Sequence, residues 1–125
     1  QALCRASGTA LIWITHDLSV VAGLADTASV MYAGRIVEQG PVADVLERPR
    51  HPYTAGLIAS APSRNARGRP LRQIPGMTPS LLALPPGCAF QERCARADAA
   101  CRGEPPLRAM GEHRLRCFHP VPTAV

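Results

Sequence analysis

Leu11-Ile12-Trp13-Ile14-Thr15-His16-Asp17-Leu18-Ser19-Val20-Val21 passes from an unbroken apolar run through a polar pair into helical spacing. Residues 9–15 form a short apolar run with β-formers, bounded by Gly8 on one side and the polar pair His16-Asp17 on the other. A run that is apolar at nearly every position, rather than at alternate ones, suits a strand buried on both faces of a parallel sheet. Asp17 then offers its carboxylate to the free N–H groups of a following helix. That helix is predicted over about 18–28, with Val20, Val21, Leu24 and Ala25 sharing one stripe. A strand passing directly into a helix belongs to an α/β layer.

Further along, residues 29–33 and 35–39 flank Gly34 and read as two short strands joined by a tight turn. Pro41 suits the first turn of a helix running to about residue 48, which Pro49 stops. His51-Pro52-Tyr53 reads as the proline-fixed start of a last helix over about 52–60, with Tyr53 on the core and Leu57 and Ile58 inward. The order strand, helix, hairpin, helix is too small for a complete sheet. The chain also lacks an initiator Met and begins at Gln1 as if in the last turns of a helix, so it reads as a fragment. Cys4, in that first helical stretch, reads as a small buried apolar residue.

The 125 residues carry 14 basic and 9 acidic side chains, a net charge of +5, and every basic one is Arg. Arg5, Arg35, Arg48 and Arg50 face five acids in residues 1–63, whereas residues 64–125 hold ten Arg against Glu92, Asp98, Glu104 and Glu112. Ten of the 13 prolines lie at or beyond Pro62. This shift marks a boundary, with residues 63–70 as the connecting loop and two parts, 1–62 and 63–125. The second part is pinned by proline and needs a source of order other than a large core. Arg64 to Arg72 read as a solvated linker, because an aromatic content of 4% leaves few stacking platforms for nucleic acid. The longest aliphatic or aromatic run, Ala10 to Ile14, falls far short of the ~20 residues of a membrane helix.

Ligands of open α/β sheets bind at the carboxyl ends of strands, which is where His16 stands. On position alone, His16 is either a turn residue or a hydrogen-bond donor to a phosphate oxygen. Residues 11–21, Ala25-Asp26 and Val30-Met31-Tyr32-Ala33-Gly34-Arg35-Ile36-Val37-Glu38-Gln39-Gly40 together resemble the end of an ABC-transporter ATPase domain. Thr15-His16-Asp17 matches that family's switch histidine (H-loop). Arg50-His51-Pro52-Tyr53-Thr54 and Ile74-Pro75-Gly76 resemble the extension of its oligopeptide/dipeptide importer branch. The resemblance implies an α/β chain: the C-terminal portion of a P-loop NTPase domain in residues 1–62, then a proline- and cysteine-rich extension in 63–125.

By the same resemblance, His16 would contact the γ-phosphate of ATP and help hold the attacking water and catalytic carboxylate in register, a positioning role suited to phosphoryl transfer. The phosphate-binding Gly-x-x-x-x-Gly-Lys-Ser/Thr loop is absent, as are the family's glutamine loop, its Ser-Gly-Gly signature and the acidic strand end that binds Mg²⁺. The chain alone is therefore expected to lack ATPase activity.

Four of the five cysteines cluster as Cys88-x5-Cys94-x6-Cys101-x15-Cys117, among Arg93, Arg96, Arg102 and Arg116. Guanidinium groups lower the cost of gathering thiolates. Structural zinc sites usually show Cys-x2–4-Cys knuckles, which are missing, and wider spacing suits an iron–sulfur cluster. Spacing alone leaves iron–sulfur, zinc and free thiols open. Gly87-Cys88-Ala89-Phe90, Arg93-Cys94, Cys101, Pro105-Pro106-Leu107 and His113 with Cys117 resemble the importer branch's cysteine-rich tail, some members of which hold a 4Fe–4S cluster on four cysteines. His113 reads as a surface residue or a substitute ligand, and His119 as part of a frayed end.

The resemblance implies the ATP-binding subunit of an importer of peptides or related small solutes. It would work with ATP and Mg²⁺, a second ATP-binding subunit, membrane-spanning permease subunits and, indirectly, a solute-binding protein. It would sit peripherally on the cytoplasmic face of the membrane. The alternatives are a metal-binding interaction or sensor module and an inert remnant.

Overall fold

The computed structural model describes residues 1–122. It opens with α1 (Ala2–Ser7), which ends at Gly8 in a left-handed backbone conformation. Cys4 in this helix is half-buried rather than buried, since a single short helix has too little neighbouring surface to cover it. The strand predicted at 9–15 is not formed. Leu11, Ile12, Trp13 and Ile14 are 63, 89, 57 and 93% exposed. A buried strand needs ladder partners for its N–H and C=O groups, and none of the four strands among the described residues pairs with this stretch.

Asp17 does cap α2 (Leu18–Leu24), accepting from Ser19 N at 2.9 Å and from Ser19 Oγ at 2.5 Å. The helix stops at Leu24, short of the predicted 28. The Gln1 side chain donates to Gly23 O and Leu24 O, and from Thr27 the backbone is taken up by a strand. β1 (Thr27–Tyr32) and β2 (Arg35–Pro41) form the expected antiparallel hairpin. Its two-residue turn, Ala33-Gly34, has φ of 48° and 76°, the primed geometry that matches strand twist. α3 (Val42–Glu47) and α4 (Pro52–Ala59) follow close to the expected positions.

The tail is better built than its proline content led us to expect. After short 3₁₀ turns at Pro62–Arg64, Leu81–Ala83, Gln91–Arg93 and Ala99–Arg102, it forms β3 (Arg108–Met110) and β4 (His113–Leu115). The sheet order is β1-β2-β4-β3, antiparallel throughout, with Glu38 opposite Leu115 and Gln39 opposite Arg114. The tail thus supplies the hairpin's neighbouring strands. It also supplies Phe90, which is buried with Tyr32 and Val37. The Tyr32, Tyr53 and Phe90 rings lie with centroids 4.6–5.5 Å apart, tilted or edge-on, as aromatic quadrupoles prefer.

Two charged side chains bind these parts together. Glu38, wholly buried, accepts from Arg50 N at 2.8 Å and His51 N at 2.9 Å, and its Oε1 lies 3.2 Å from His113 Nδ1. His113 is therefore not a surface residue: it is buried beside the Glu38 carboxylate, with its ring packed against Gly40. Arg93 donates to Ile74 O, Pro75 O, Thr78 Oγ1 and Tyr32 Oη, strapping the Ile74-Pro75-Gly76 loop to the hairpin. Leu57 and Ile58 on α4 are half-buried. Arg64, Arg67, Arg69 and Arg72 are exposed, as a solvated linker should be.

Candidate functional site

The four tail cysteines converge. Cys88, Cys94, Cys101 and Cys117 line one cavity, closed by Phe90, Pro105 and Phe118 and bordered by His51, Arg96 and His119. Successive turns make the convergence possible. Cys88 N donates to Cys101 O at 2.9 Å, Cys94 N to Gln91 O, and Cys101 N to Asp98 O. Gly87 is obligatory at the first of these contacts. Its φ is +88°, and a Cβ there would stand 2.4 Å from Cys101 O and 2.5 Å from Arg102 O. Cys117 arrives from the other side, where β4 leaves the sheet and Arg116 N donates to Val37 O at 2.9 Å.

All five cysteines are free thiols. Burial pushes the Cys117 thiol up to about 11, with charge on Cys88, Cys94 and Cys101 adding to the rise. Burial raises Cys88 in the same direction. His119 N, 3.3 Å from Cys117 Sγ, donates to that sulfur and favours its anion. The expected arginine environment is largely absent. Arg93 is committed to the Ile74-Pro75-Gly76 strap, and Arg116 donates to Ile36 O, Glu104 and Pro105 O. Carbonyls and a carboxylate in reach outcompete neutral thiols for guanidinium, so only Arg96 of the four borders the cavity.

Four sulfur donors around one largely apolar cavity, with an N–H aimed at one of them, fit a thiolate-ligated metal centre. Such a centre supplies the positive charge that would overcome the raised thiol pKa values.

His16 is exposed at the bend before α2, and the neighbouring Asp17 carboxylate is engaged by Ser19, which holds it below the usual carboxylate range. His51, by contrast, is buried. Its Nδ1 accepts from Tyr53 N at 3.0 Å as the cap of α4, and burial lowers its pKa to about 4. Tyr53 packs on the core as expected.

His119 does not belong to a frayed end. Its Nε2 lies 2.8 Å from Asp98 Oδ1, and Asp98, Cys101 and His119 bring their donor atoms within 4.8 Å of one another. Sequence reasoning missed Asp98 and Glu38. The three-residue step from Asp98 to Cys101 and the two-residue step from Cys117 to His119 are the signals that point to the first pairing. Nothing in a strand's alternation marks Glu38 as buried.

Comparison with known proteins places this geometry in context. Residues 37–101 match the family described as "Oligopeptide/dipeptide transporter, C-terminal region". The chain is 50% identical over 120 residues to the oligopeptide transport ATP-binding protein OppD of Salmonella typhimurium, covering 95% of this chain and 36% of that one. It is also 50% identical over 113 residues to the "Probable D,D-dipeptide transport ATP-binding protein DdpD" of Escherichia coli, covering 90% of this chain and 34% of the relative. The chain spans about a third of the length of these curated relatives.

Proposed function

The chain belongs to the oligopeptide/dipeptide transporter C-terminal region family, and from that premise we propose that it works within the ATP-binding subunit of an ABC importer of peptides or related small solutes. In this reading residues 1–62 are the C-terminal portion of a P-loop ATPase domain, and residues 63–125 are the extension that docks back on its hairpin. ATP and Mg²⁺ are bound by the intact subunit, which pairs with a second ATP-binding subunit and drives permease subunits fed by a solute-binding protein. It acts from the cytoplasmic face of the membrane. Among the described residues no helix is long and apolar enough to cross one.

His16 is assigned to the γ-phosphate. Its exposed imidazole, next to a capped helix, supports this by leaving the ring free to donate to a phosphate oxygen. In the full-length subunit, His16→Ala should lower ATP turnover by on the order of 10²-fold while leaving thermal stability near wild type. Unchanged turnover sinks the assignment. The 125-residue chain, lacking Lys altogether, should give no heat of Mg²⁺-ATP binding in calorimetry. Measurable binding would contradict the claim that it lacks a phosphate cradle.

The observation that carries the second half of the reading is the meeting of four cysteines from residues 88–117 at one cavity. Cys88, Cys94, Cys101 and Cys117 are assigned as ligands of a 4Fe–4S cluster, which when bound supplies a rigid cross-link and one-electron redox chemistry. The protein's part is to gather the sulfurs, shield them with Phe90 and Phe118, and hold Cys117 with the His119 N–H.

A further inference from the structure

His119 is tied to two of the turns that carry the cysteines. Its Nε2 lies 2.8 Å from Asp98 Oδ1, an imidazole N–H meeting a carboxylate, and its carbonyl accepts from Arg96 Nε at 3.2 Å. Asp98 caps the 3₁₀ turn Ala99–Arg102 that holds Cys101, accepting from Ala100 N at 2.9 Å. Arg96 sits in the turn closed by Ala97 N on Cys94 O at 3.1 Å. The His119 N–H points a third way, to Cys117 Sγ at 3.3 Å. One residue thus touches the segments of Cys94, Cys101 and Cys117 at once.

The backbone around His119 gives these contacts their weight. Residues 116–121 are pinned at one end by Arg116 N on Val37 O at 2.9 Å and at the other by Val121 N on Arg50 O at 2.8 Å. Between the pins the chain crosses the cysteine cavity, which Phe118 and His119 both line, and it does so without helix or strand. Side-chain contacts therefore decide how closely this span lies on the turns beneath it. His119 Nε2 is shut off from water, whereas the Asp98 side chain is 55% exposed, so the contact stands where the cavity meets solvent. Hydrogen bonding from His119 holds the Asp98 carboxyl below its ordinary range, which keeps the acceptor ionised and the bond charge-assisted.

We propose that His119 is a positioning residue, a clasp that locks the Cys117 span over the Cys94 and Cys101 turns and sets how readily the four sulfurs are reached from solvent. The inference rests on the four-cysteine reading and leaves all four ligands to it. Metal-ligating groups lean on outer hydrogen-bond partners that fix their orientation. Here the His119 N–H steadies the Cys117 sulfur, while the ring's grip on Asp98 steadies the N–H. Opening the Asp98–His119 contact would release Cys117 first, because it arrives from the sheet whereas Cys88, Cys94 and Cys101 share the successive turns of residues 88–102.

Two substitutions break the clasp without touching a sulfur. Asp98→Ser keeps an oxygen to cap Ala100 N but falls short of His119, and His119→Phe keeps a ring and the backbone N–H to Cys117. In the 125-residue chain purified anaerobically, each should speed the loss of iron and sulfide to a chelator roughly tenfold. The double variant should lose them no faster than either single one, since both remove the same contact. In the metal-free, reduced chain, alkylation of Cys117 by iodoacetamide, mapped by peptide mass, should quicken about threefold in both variants, with Cys4 unchanged. Wild-type rates of cluster loss and of Cys117 alkylation in both variants would overturn the proposal, as would additive effects in the double variant. A wild-type chain that holds no iron and sulfide would sink the four-cysteine reading by itself, and the alkylation rates would still decide whether the clasp exists.

Discussion

Residues 9–15 and residues 86–119 invert what composition leads one to expect. The first stretch is almost wholly apolar, yet it stands open to solvent with Ile14 93% exposed. The second is rich in proline and arginine, yet it carries a buried Phe90, a buried Leu115 and two strands of the sheet. The difference lies in partners. An apolar strand without neighbours has nowhere to put its backbone hydrogen bonds, while a polar tail that finds a hairpin edge, an aromatic cluster and a buried carboxylate is ordered by them.

The largest expected effect comes from removing the group that joins the tail to the rest. Glu38→Ala leaves Arg50 N and His51 N without their acceptor and His113 without its carboxylate. It should cost about 3–5 kcal/mol, read as a lowered midpoint in urea unfolding. A change under about 1 kcal/mol would mean that the tail is ordered independently of Glu38.

Gly87→Ala comes next, at about 3 kcal/mol, because its Cβ would meet two backbone oxygens at an unfavourable φ. Limited proteolysis should then cut within 86–119 while sparing 27–59. Cleavage unchanged from wild type would contradict the close approach of Cys88 to Cys101.

Acid should act through His51. Its folded-state pKa of about 4 lies below the ordinary 6.5, so the unfolded chain takes up a proton that the folded chain refuses between those values. The stability present above about pH 6.5 is therefore lost as pH falls toward 4, by on the order of 2–3 kcal/mol. Unfolding midpoints at pH 7 and pH 4.5 should differ accordingly, and His51→Gln should flatten the dependence. An equal slope in that variant would assign the acid sensitivity elsewhere.

In the 125-residue chain, Ile14→Ser should do almost nothing, within about 0.5 kcal/mol, since the side chain is already in water there. A loss of 2 kcal/mol would show that residues 9–15 have a packing partner after all, and the contrast between the two regions would collapse.

Much of this organisation was legible in the residues. Gly34 between β-formers announced the hairpin because glycine takes a positive φ readily, and Pro41, Pro49 and Pro52 bracketed two helices because proline fixes φ. The 9–15 strand was misread because a strand's existence depends on chain lying elsewhere. β3 and β4 escaped notice, each being only three residues long with no clear alternation of apolar and polar side chains. The four cysteines were legible as a set, but their neighbours were not. His119 and Asp98 lie 21 positions apart, and only the fold brings them to 2.8 Å.

The proposed iron–sulfur cluster on Cys88, Cys94, Cys101 and Cys117 can be tested by assaying iron, acid-labile sulfide and zinc per chain after anaerobic purification, with the visible spectrum. Brown protein with iron and sulfide in matched amounts, both lost in Cys94→Ala, is the expected result. Zinc alone, or no metal at all, would contradict it.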